Sequence, residues 1–248
     1  MFNEETTVEQ LILDTLCGKV AQFTVGEKPS PAYGGRFKGW QYIHAENLPR
    51  QYSDVFVEPM LREALIRLNP EIKLQPDLAD EVLYRLRPIP LSVQSTGLVR
   101  ANELFTEWLR GEKTMPFGEN NEHTPVRLID FENVTNNEFV VTNQWVYPTQ
   151  EGGRRFDIVL LVNGLPLIIG EAKTPVRNAV TWVDGANDIH NGYEKSVPQM
   201  FVSNIFSFAT EGKLPVRLYS YAARYMGPLA PTRQQGGRNP RGRATLSE

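Results

Sequence analysis

The sequence predicts an α/β or α+β fold, because helical patterns fill its first half and strand patterns fill most of its second half. Four apolar stripes at helical spacing precede residue 120, and six apolar or β-branched runs separated by turn residues follow it. A further helical pattern over residues 178–193 lies between the fourth and fifth of these runs, and its apolar stripe is Ala179, Val180, Val183, Ala186 and Ile189. A helix in that place is typical of a crossover between two strands of one sheet.

The helical patterns have recognisable termini. The first covers residues 6–17, and Thr6 with Glu9 fits a capping box at its start. The later patterns begin or stop at residues that favour helix ends, namely Pro59, Asn69-Pro70, Arg87-Pro88 and Gly111. Their apolar stripes are Leu61, Leu65 and Leu68, then Leu78, Val82, Leu83 and Leu86, then Leu98, Leu104, Phe105, Trp108 and Leu109.

The change of pattern divides the chain into three parts. Residues 1–120 form a helical part packed on a core that contains the sheet, and residues 121–223 form that core. Residues 224–248 are rich in arginine and poor in apolar residues, so they are expected to be a linker or tail. The predicted strands are 126–131, 138–148, 156–162, 165–173, 205–210 and 216–222.

Composition excludes several classes of protein. Of the 248 residues 41% are hydrophobic, which is enough for a core, and the formal charge of −3 requires any nucleic-acid binding to come from local patches. One cysteine and three scattered histidines exclude an internal disulfide and a His/Cys metal centre. The chain has no P-loop pattern, no signal peptide and no apolar run of membrane-spanning length, so we expect a cytoplasmic protein.

The stretch "RFDIVLLVNGLPLIIGEAKTP" contains a predicted hairpin with charged ends. Asn163-Gly164 between two apolar runs favours a tight turn, which brings Asp157 close to Gly170 and Glu171. A plain two-residue turn pairs Asp157 with Gly170 and directs Glu171 to the other face. A three-residue loop or a bulge would instead put Asp157, Glu171 and Lys173 on one face.

Two carboxylates and a lysine on one face would suit metal-assisted phosphodiester hydrolysis. Carboxylates are preferred Mg²⁺ ligands, and a neighbouring lysine can orient water or stabilise developing negative charge. The alternative is that the three charges are solvated strand ends.

These residues resemble a known family. Asp157 with Glu171-Ala172-Lys173 is similar to the PD-(D/E)xK nuclease motif, with Phe156 in place of the proline. The segments "RLIDFENVTNNEFVVTNQW", "FDIVLLVNGLPLIIGEAKTP" and "ANDIHNGYEKSVPQMFVSNIF" together resemble the N-terminal nuclease domain of the restriction (R) subunit of type I restriction–modification enzymes. The likeness is close over residues 124–222 and loose over residues 1–120.

The resemblance implies a restriction-endonuclease-like mixed β-sheet flanked by helices, and Mg²⁺-dependent cleavage of double-stranded DNA. It implies as partners the modification and specificity subunits of a restriction complex. ATP would enter only through translocase domains that follow the nuclease in that family, and none of their motifs occurs here. Asp157, Glu171 and the Ala172 carbonyl would hold the metal, and Lys173 would be the catalytic lysine.

The accessory residues depart from the family pattern. Family members often carry Gln-x-x-x-Tyr after the lysine strand, but Ile189 stands four residues before Tyr193. Asp188 and Gln199 are the neighbouring polar candidates, and Tyr193 could also be an ordinary aromatic at a helix end. The remaining candidates are Glu9, which could reach the metal or only cap its helix, and Arg154 and Arg155, which could contact phosphates or solvent.

The resemblance leaves three functional classes. The leading one is the nuclease domain of a type I R subunit. A non-catalytic module that docks DNA or regulates a motor would use the same fold with structural acids. A stand-alone repair-type nuclease would share the active site but lack the motor.

Overall fold

The computed structural model describes residues 8–18, 39–173 and 181–211, together with the backbone of residues 217–220. In these residues a mixed β-sheet is covered by helices, so the predicted α/β class and the restriction-endonuclease-like architecture are confirmed. No helix among them is long and apolar enough to cross a membrane. The predicted tail, 224–248, lies outside the described residues.

The helices are α1 (Gln10–Leu16), α2 (Glu58–Leu68), α3 (Pro70–Leu74), α4 (Leu78–Leu86), α5 (Pro88–Leu91), α6 (Val93–Thr96), α7 (Leu98–Leu109), α8 (Trp182–Asn187) and α9 (Glu194–Ser196). A π-helical segment, Asp188–Tyr193, joins α8 to α9. The strands are β1 (Gln41–Tyr42), β2 (Thr114–Met115), β3 (Thr124–Pro125), β4 (Phe139–Tyr147), β5 (Arg154–Val162), β6 (Leu165–Ala172), β7 (Phe206–Thr210) and β8 (Arg217–Ser220).

The main sheet has the order β1-β4-β5-β6-β7-β8. Strands β4, β5 and β6 form antiparallel pairs, whereas β1 runs parallel to β4 and β7 runs parallel to β6. A parallel pair requires a crossover, so the predicted crossover between the strands at 165–173 and 205–210 is confirmed. Helix α8 and the π-helical segment lie within it.

Helices cover both faces of this sheet. Leu13 of α1 packs on one face against Val141, Ile158, Leu160 and Phe208. The opposite face belongs to a larger buried cluster that also contains residues of α2, α4 and α7. That cluster includes residues from both sides of position 120, and the division of the chain into domains stays a prediction.

Two local predictions are wrong. Residues 126–131 are irregular, although Val126, Leu128 and Ile129 are buried. Side-chain amides replace the strand ladder there, because Asn69 pairs with both the N–H and the carbonyl of Arg127. In the predicted helical stripe, Val183 is exposed rather than buried.

The turn of the β5–β6 hairpin is held from inside the protein. Asn163 is fully buried with a φ of 53°. Its amide nitrogen donates to the Leu128 carbonyl and to Asn137, and its amide oxygen accepts from the Glu138 N–H and from Arg67. The side chain therefore joins the turn to the irregular segment and to α2.

Replacing Asn163 by alanine is expected to destabilise the chain by about 3 kcal/mol, because buried polar groups lose their partners and alanine disfavours positive φ. Urea unfolding followed by circular dichroism would measure this. Asn163→Gly should recover only the backbone part. Asn120 is the matched control, since it has a φ of 56° but is exposed, and its alanine variant should cost under about 1 kcal/mol. An equal loss in both alanine variants would contradict the assigned hydrogen bonds.

Candidate active site

A β-bulge sets the phase of the two strands that carry the predicted site. Asn163 and Gly164 form a two-residue turn, with Val162 paired to Leu165. The register shifts between Leu160 and Leu161, so that Ile158 pairs with Gly170. In the same register, Asp157 lies opposite Glu171. The sequence predicted this arrangement for a hairpin with a bulge.

The bulge has a local cause and local support. Pro166 has no N–H to donate to the ladder. The carbonyls of Pro166 and Leu167 accept hydrogen bonds from the Ser203 hydroxyl and the Ile205 N–H, at 2.9 and 2.8 Å. The irregular residues are therefore satisfied by the chain that enters β7.

Asp157 lies against the end of β6. Its Oδ2 accepts a hydrogen bond of 2.9 Å from the N–H of Ala172. Because a strand residue directs its N–H and its carbonyl to the same side, the Ala172 carbonyl faces Asp157 as well. Asp157 is 9% exposed, which does not fit a solvated strand end.

Glu171 is the most deeply buried acid of the cluster, with 3% of its surface exposed. Its Oε1 accepts from Lys173 Nζ at 2.7 Å and from the Tyr193 hydroxyl at 3.3 Å. Burial first, and then the charge of Asp157, raise the pKa of Glu171 to about 8, although the hydrogen bonds from Lys173 and Tyr193 oppose this. The carboxyl is thus held where a full negative charge is poorly solvated.

Lys173 lies between two acids. Its Nζ is 2.7 Å from Glu171 Oε1 and 2.7 Å from Asp188 Oδ2. Burial lowers the pKa of the Lys173 ammonium, but the hydrogen bonds to Asp188 and Glu171 outweigh burial, and the pKa lies above its ordinary value. Lys173 is therefore a cation at neutral pH.

The π-helical segment closes the cluster from the side of α8. Its first residue, Asp188, contacts Lys173, and its last, Tyr193, contacts Glu171. The Tyr193 ring packs edge-on against Phe156, with 5.2 Å between centroids. Ile189, which stands at the glutamine position of the family pattern, is buried in the apolar core instead.

Glu9, directly before α1, is buried and contacts β4. Its carboxylate accepts from the side-chain amides of Asn143 at 3.3 Å and Gln144 at 2.8 Å. The β4–β5 register sets Gln144 opposite Asp157, so Glu9 lies one strand away from the cluster. Thr6 lies outside the described residues, and the capping box stays a prediction.

The other polar candidates lie elsewhere. Arg154 and Gln199 line an open groove of about 760 Å³ that also contains Lys195, and none of Asp157, Glu171 and Lys173 lines it. Arg154 donates to the Ser196 hydroxyl at 3.2 Å. Arg155 is exposed.

The donor set fits a hard divalent cation. Two carboxylates with one backbone carbonyl suit Mg²⁺, which keeps several of its waters. The buried Glu171 Oε2 has no hydrogen-bond partner in the part of the chain that the structure describes. A cation would satisfy that oxygen and offset the cost of its charge. In the same part of the chain, no three His, Cys, Asp or Glu side chains are placed to share a metal ion.

Two residues that shape the site were not identified from the sequence. A Cβ on Gly185 of α8 would lie 3.2 Å from Glu171 Cγ and 3.4 Å from Lys173 Cγ, so glycine lets the helix approach the site. Gln144 has a φ of 57° in the middle of β4, and such strain is concentrated at functional sites. The glycine in the crossover could have indicated a close approach of the helix to the sheet, whereas nothing in the sequence indicated the positive φ of Gln144.

Comparison with known proteins agrees with this architecture. The profile of the family "Type I restriction enzyme R protein N terminus" matches residues 1–223. The type I restriction enzyme HindI endonuclease subunit of Haemophilus influenzae is 32% identical over 199 residues, which are 75% of this chain and 18% of that protein. The putative MjaIXP endonuclease subunit of Methanocaldococcus jannaschii is 33% identical over 172 residues, or 66% of this chain and 16% of that protein. The chain thus spans less than a fifth of these relatives, and it belongs to the family of type I restriction enzyme R protein N termini.

Proposed function

We propose that this chain is a metal-dependent endonuclease module that cleaves double-stranded DNA within a type I restriction complex. The observation that carries the proposal is the cluster of Asp157, Glu171 and Lys173, in which a buried carboxylate oxygen has no partner among the described residues. The endonuclease-subunit names of the relatives support a restriction-nuclease role.

Asp157 and Glu171 are the proposed metal ligands, with the Ala172 carbonyl as a third. Bound Mg²⁺ supplies charge neutralisation at a phosphodiester and lowers the pKa of a coordinated water. The pKa of about 8 is that of the buried Glu171 carboxyl with no cation bound. Glu171 therefore loses its proton when it binds a cation. The Ala172 N–H holds Asp157 in the orientation that binding needs.

Lys173 acts as a cation rather than a general base, because its pKa lies above the ordinary lysine value. Its ammonium can donate to the developing negative charge on the phosphate, or orient the attacking water. Tyr193 keeps its proton, because burial and the charges of Glu171 and Asp157 raise its pKa. Its hydroxyl therefore remains a donor to Glu171.

The wider role is proposed from the family and from the relatives' length. Because the chain spans only 16–18% of these relatives, an ATP-driven motor is proposed to lie in the rest of the protein that carries it. The modification and specificity subunits of a restriction complex are its proposed partners. Recognition of the DNA site is proposed to belong to the specificity subunit.

Replacing Asp157 by asparagine is expected to weaken Mn²⁺ binding by at least about 10- to 100-fold, because an anionic ligand is lost. Isothermal titration with Mn²⁺, a substitute for Mg²⁺, would measure the affinity. The matched control is Asp77→Asn, which alters an exposed aspartate before α4. Equal Mn²⁺ affinity of the Asp157→Asn and wild-type proteins would exclude this metal site and leave the non-catalytic module as the better account.

A further inference from the structure

The contact between Asp188 and Lys173 depends on the unusual winding of the crossover. A π-helical turn holds about one residue more than an α-helical turn, so its hydrogen bonds run from i to i+5. Asp188 and Tyr193 are five residues apart, and both reach the Glu171–Lys173 pair. In α-helical winding the residue one turn before Tyr193 would be Ile189, which here is buried in the core.

The two acids that hold Lys173 differ in their surroundings. Glu171 is buried, whereas the Asp188 side chain is 51% exposed. A lysine ammonium has three donors, and these carboxylates take two of them. If Glu171 uses its oxygens for a metal ion, Asp188 is the partner that still holds the amine beside it.

We propose that Asp188 is a positioning residue that keeps the Lys173 ammonium at the metal-binding end of β6 while Glu171 binds the cation. This rests on the proposed nuclease function. Asp188 contributes through Lys173, and the π-helical winding brings both Asp188 and Tyr193 to the Glu171–Lys173 pair. The role is distinct from a phosphate contact, which an acid could not make favourably.

The geometry also makes the residue suitable for a clean test. Asp188 is half-exposed, and Lys173 keeps its bond to Glu171 without it, so we expect substitution of Asp188 to leave the fold intact. The variants are Asp188→Ala, Asp188→Asn and Asp188→Glu. The matched control is Glu194→Gln, which removes an acid whose carboxylate pairs with His190 at 3.0 Å.

Two measurements are made on the full R subunit in its complex. The first is single-turnover DNA cleavage as a function of pH. The second is the pKa of Lys173, read by NMR after reductive ¹³C-methylation and assigned with Lys173→Arg. We expect Asp188→Ala and Asp188→Asn to slow cleavage about 10- to 100-fold, with unchanged DNA affinity and a lowered Lys173 pKa. Asp188→Glu should recover part of the rate, and Glu194→Gln should match the wild type.

Each contrary outcome identifies what has failed. Wild-type or faster cleavage by Asp188→Ala, with Lys173→Ala inactive, would overturn the role of Asp188 and leave the nuclease function standing. An unchanged Lys173 pKa in Asp188→Ala would also overturn it. Cleavage that survives Lys173→Ala would overturn the proposed function, and the Asp188 role with it.

Discussion

DNA cleavage by the subunit that carries this chain is expected to fall by about 10²- to 10³-fold when Lys173 is replaced by alanine. The structure gives the reason, because the Lys173 ammonium contacts Glu171, one of the two proposed metal ligands, and is also held by Asp188. Alanine removes the positive charge that would meet the phosphate, while the two proposed metal ligands remain. Single-turnover cleavage of a linear duplex with Mg²⁺ at saturating concentration would measure the loss.

The fold should survive this substitution. Glu171 is buried and its pKa is about 8, so it can stay protonated when its lysine partner is gone. Lys113→Ala is the matched control, since Lys113 pairs with Glu107 away from the site. Translocation by the proposed motor should continue in both variants, which would separate it from the proposed nuclease. Cleavage at the wild-type rate by Lys173→Ala would refute the assigned role.

A second large effect is expected from the burial of Glu171 and concerns stability. The pKa of Glu171 rises from 4.5 to about 8 on folding, so between these values the folded chain holds a proton that the unfolded chain releases. The contribution of Glu171 to stability is therefore fully present below about pH 4.5, and this contribution is lost as pH rises towards 8. In the absence of metal, the loss attributable to Glu171 should be about 5 kcal/mol.

Glu171→Gln removes this titration while keeping the size of the side chain. The variant should be more stable than the wild type at pH 8.5, and nearly equal to it at pH 5. Urea unfolding in EDTA at several pH values would compare them. Glu63→Gln, which alters an exposed acid on α2, should follow the wild-type pH profile. A wild-type stability that is flat between pH 5 and 8.5 would contradict the raised pKa.

The sequence determined the hairpin because its signals are local. Asn163-Gly164 specifies a tight turn, and the spacing of Asp157 and Glu171 then allowed a shared face only with a bulge or a longer loop. The strands at 138–148, 156–162, 165–173 and 205–210 were predicted to within two residues at each end. Apolar and β-branched runs separated by turn residues carried that information.

The parts that were missed depend on contacts between distant residues. The segment 126–131 has strand-like composition, but the Asn69 side chain takes the place of a neighbouring strand. Strand β1 is only two residues long and exists through its parallel pairing with β4. The π-helical winding places Asp188, rather than Ile189, next to Lys173. The apolar pattern of an α-helix, with its period of 3.6 residues, does not indicate this winding. The sequence named the acids and the lysine, but it could not say which accessory residue meets them.

The β6 bulge makes the site sensitive to chain length as well as to chemistry. Inserting one more residue between the turn and Gly170 would leave every charged residue of the cluster in the sequence. With the same turn and a single bulge, Gly170 would then lie opposite Asp157, and Glu171 would be directed towards the face of Phe208 and Leu13. Removing one residue at the bulge would instead give a regular ladder that keeps both the turn and the pairing of Asp157 with Glu171. The position of Glu171 therefore tolerates a one-residue deletion at the bulge and does not tolerate a one-residue insertion.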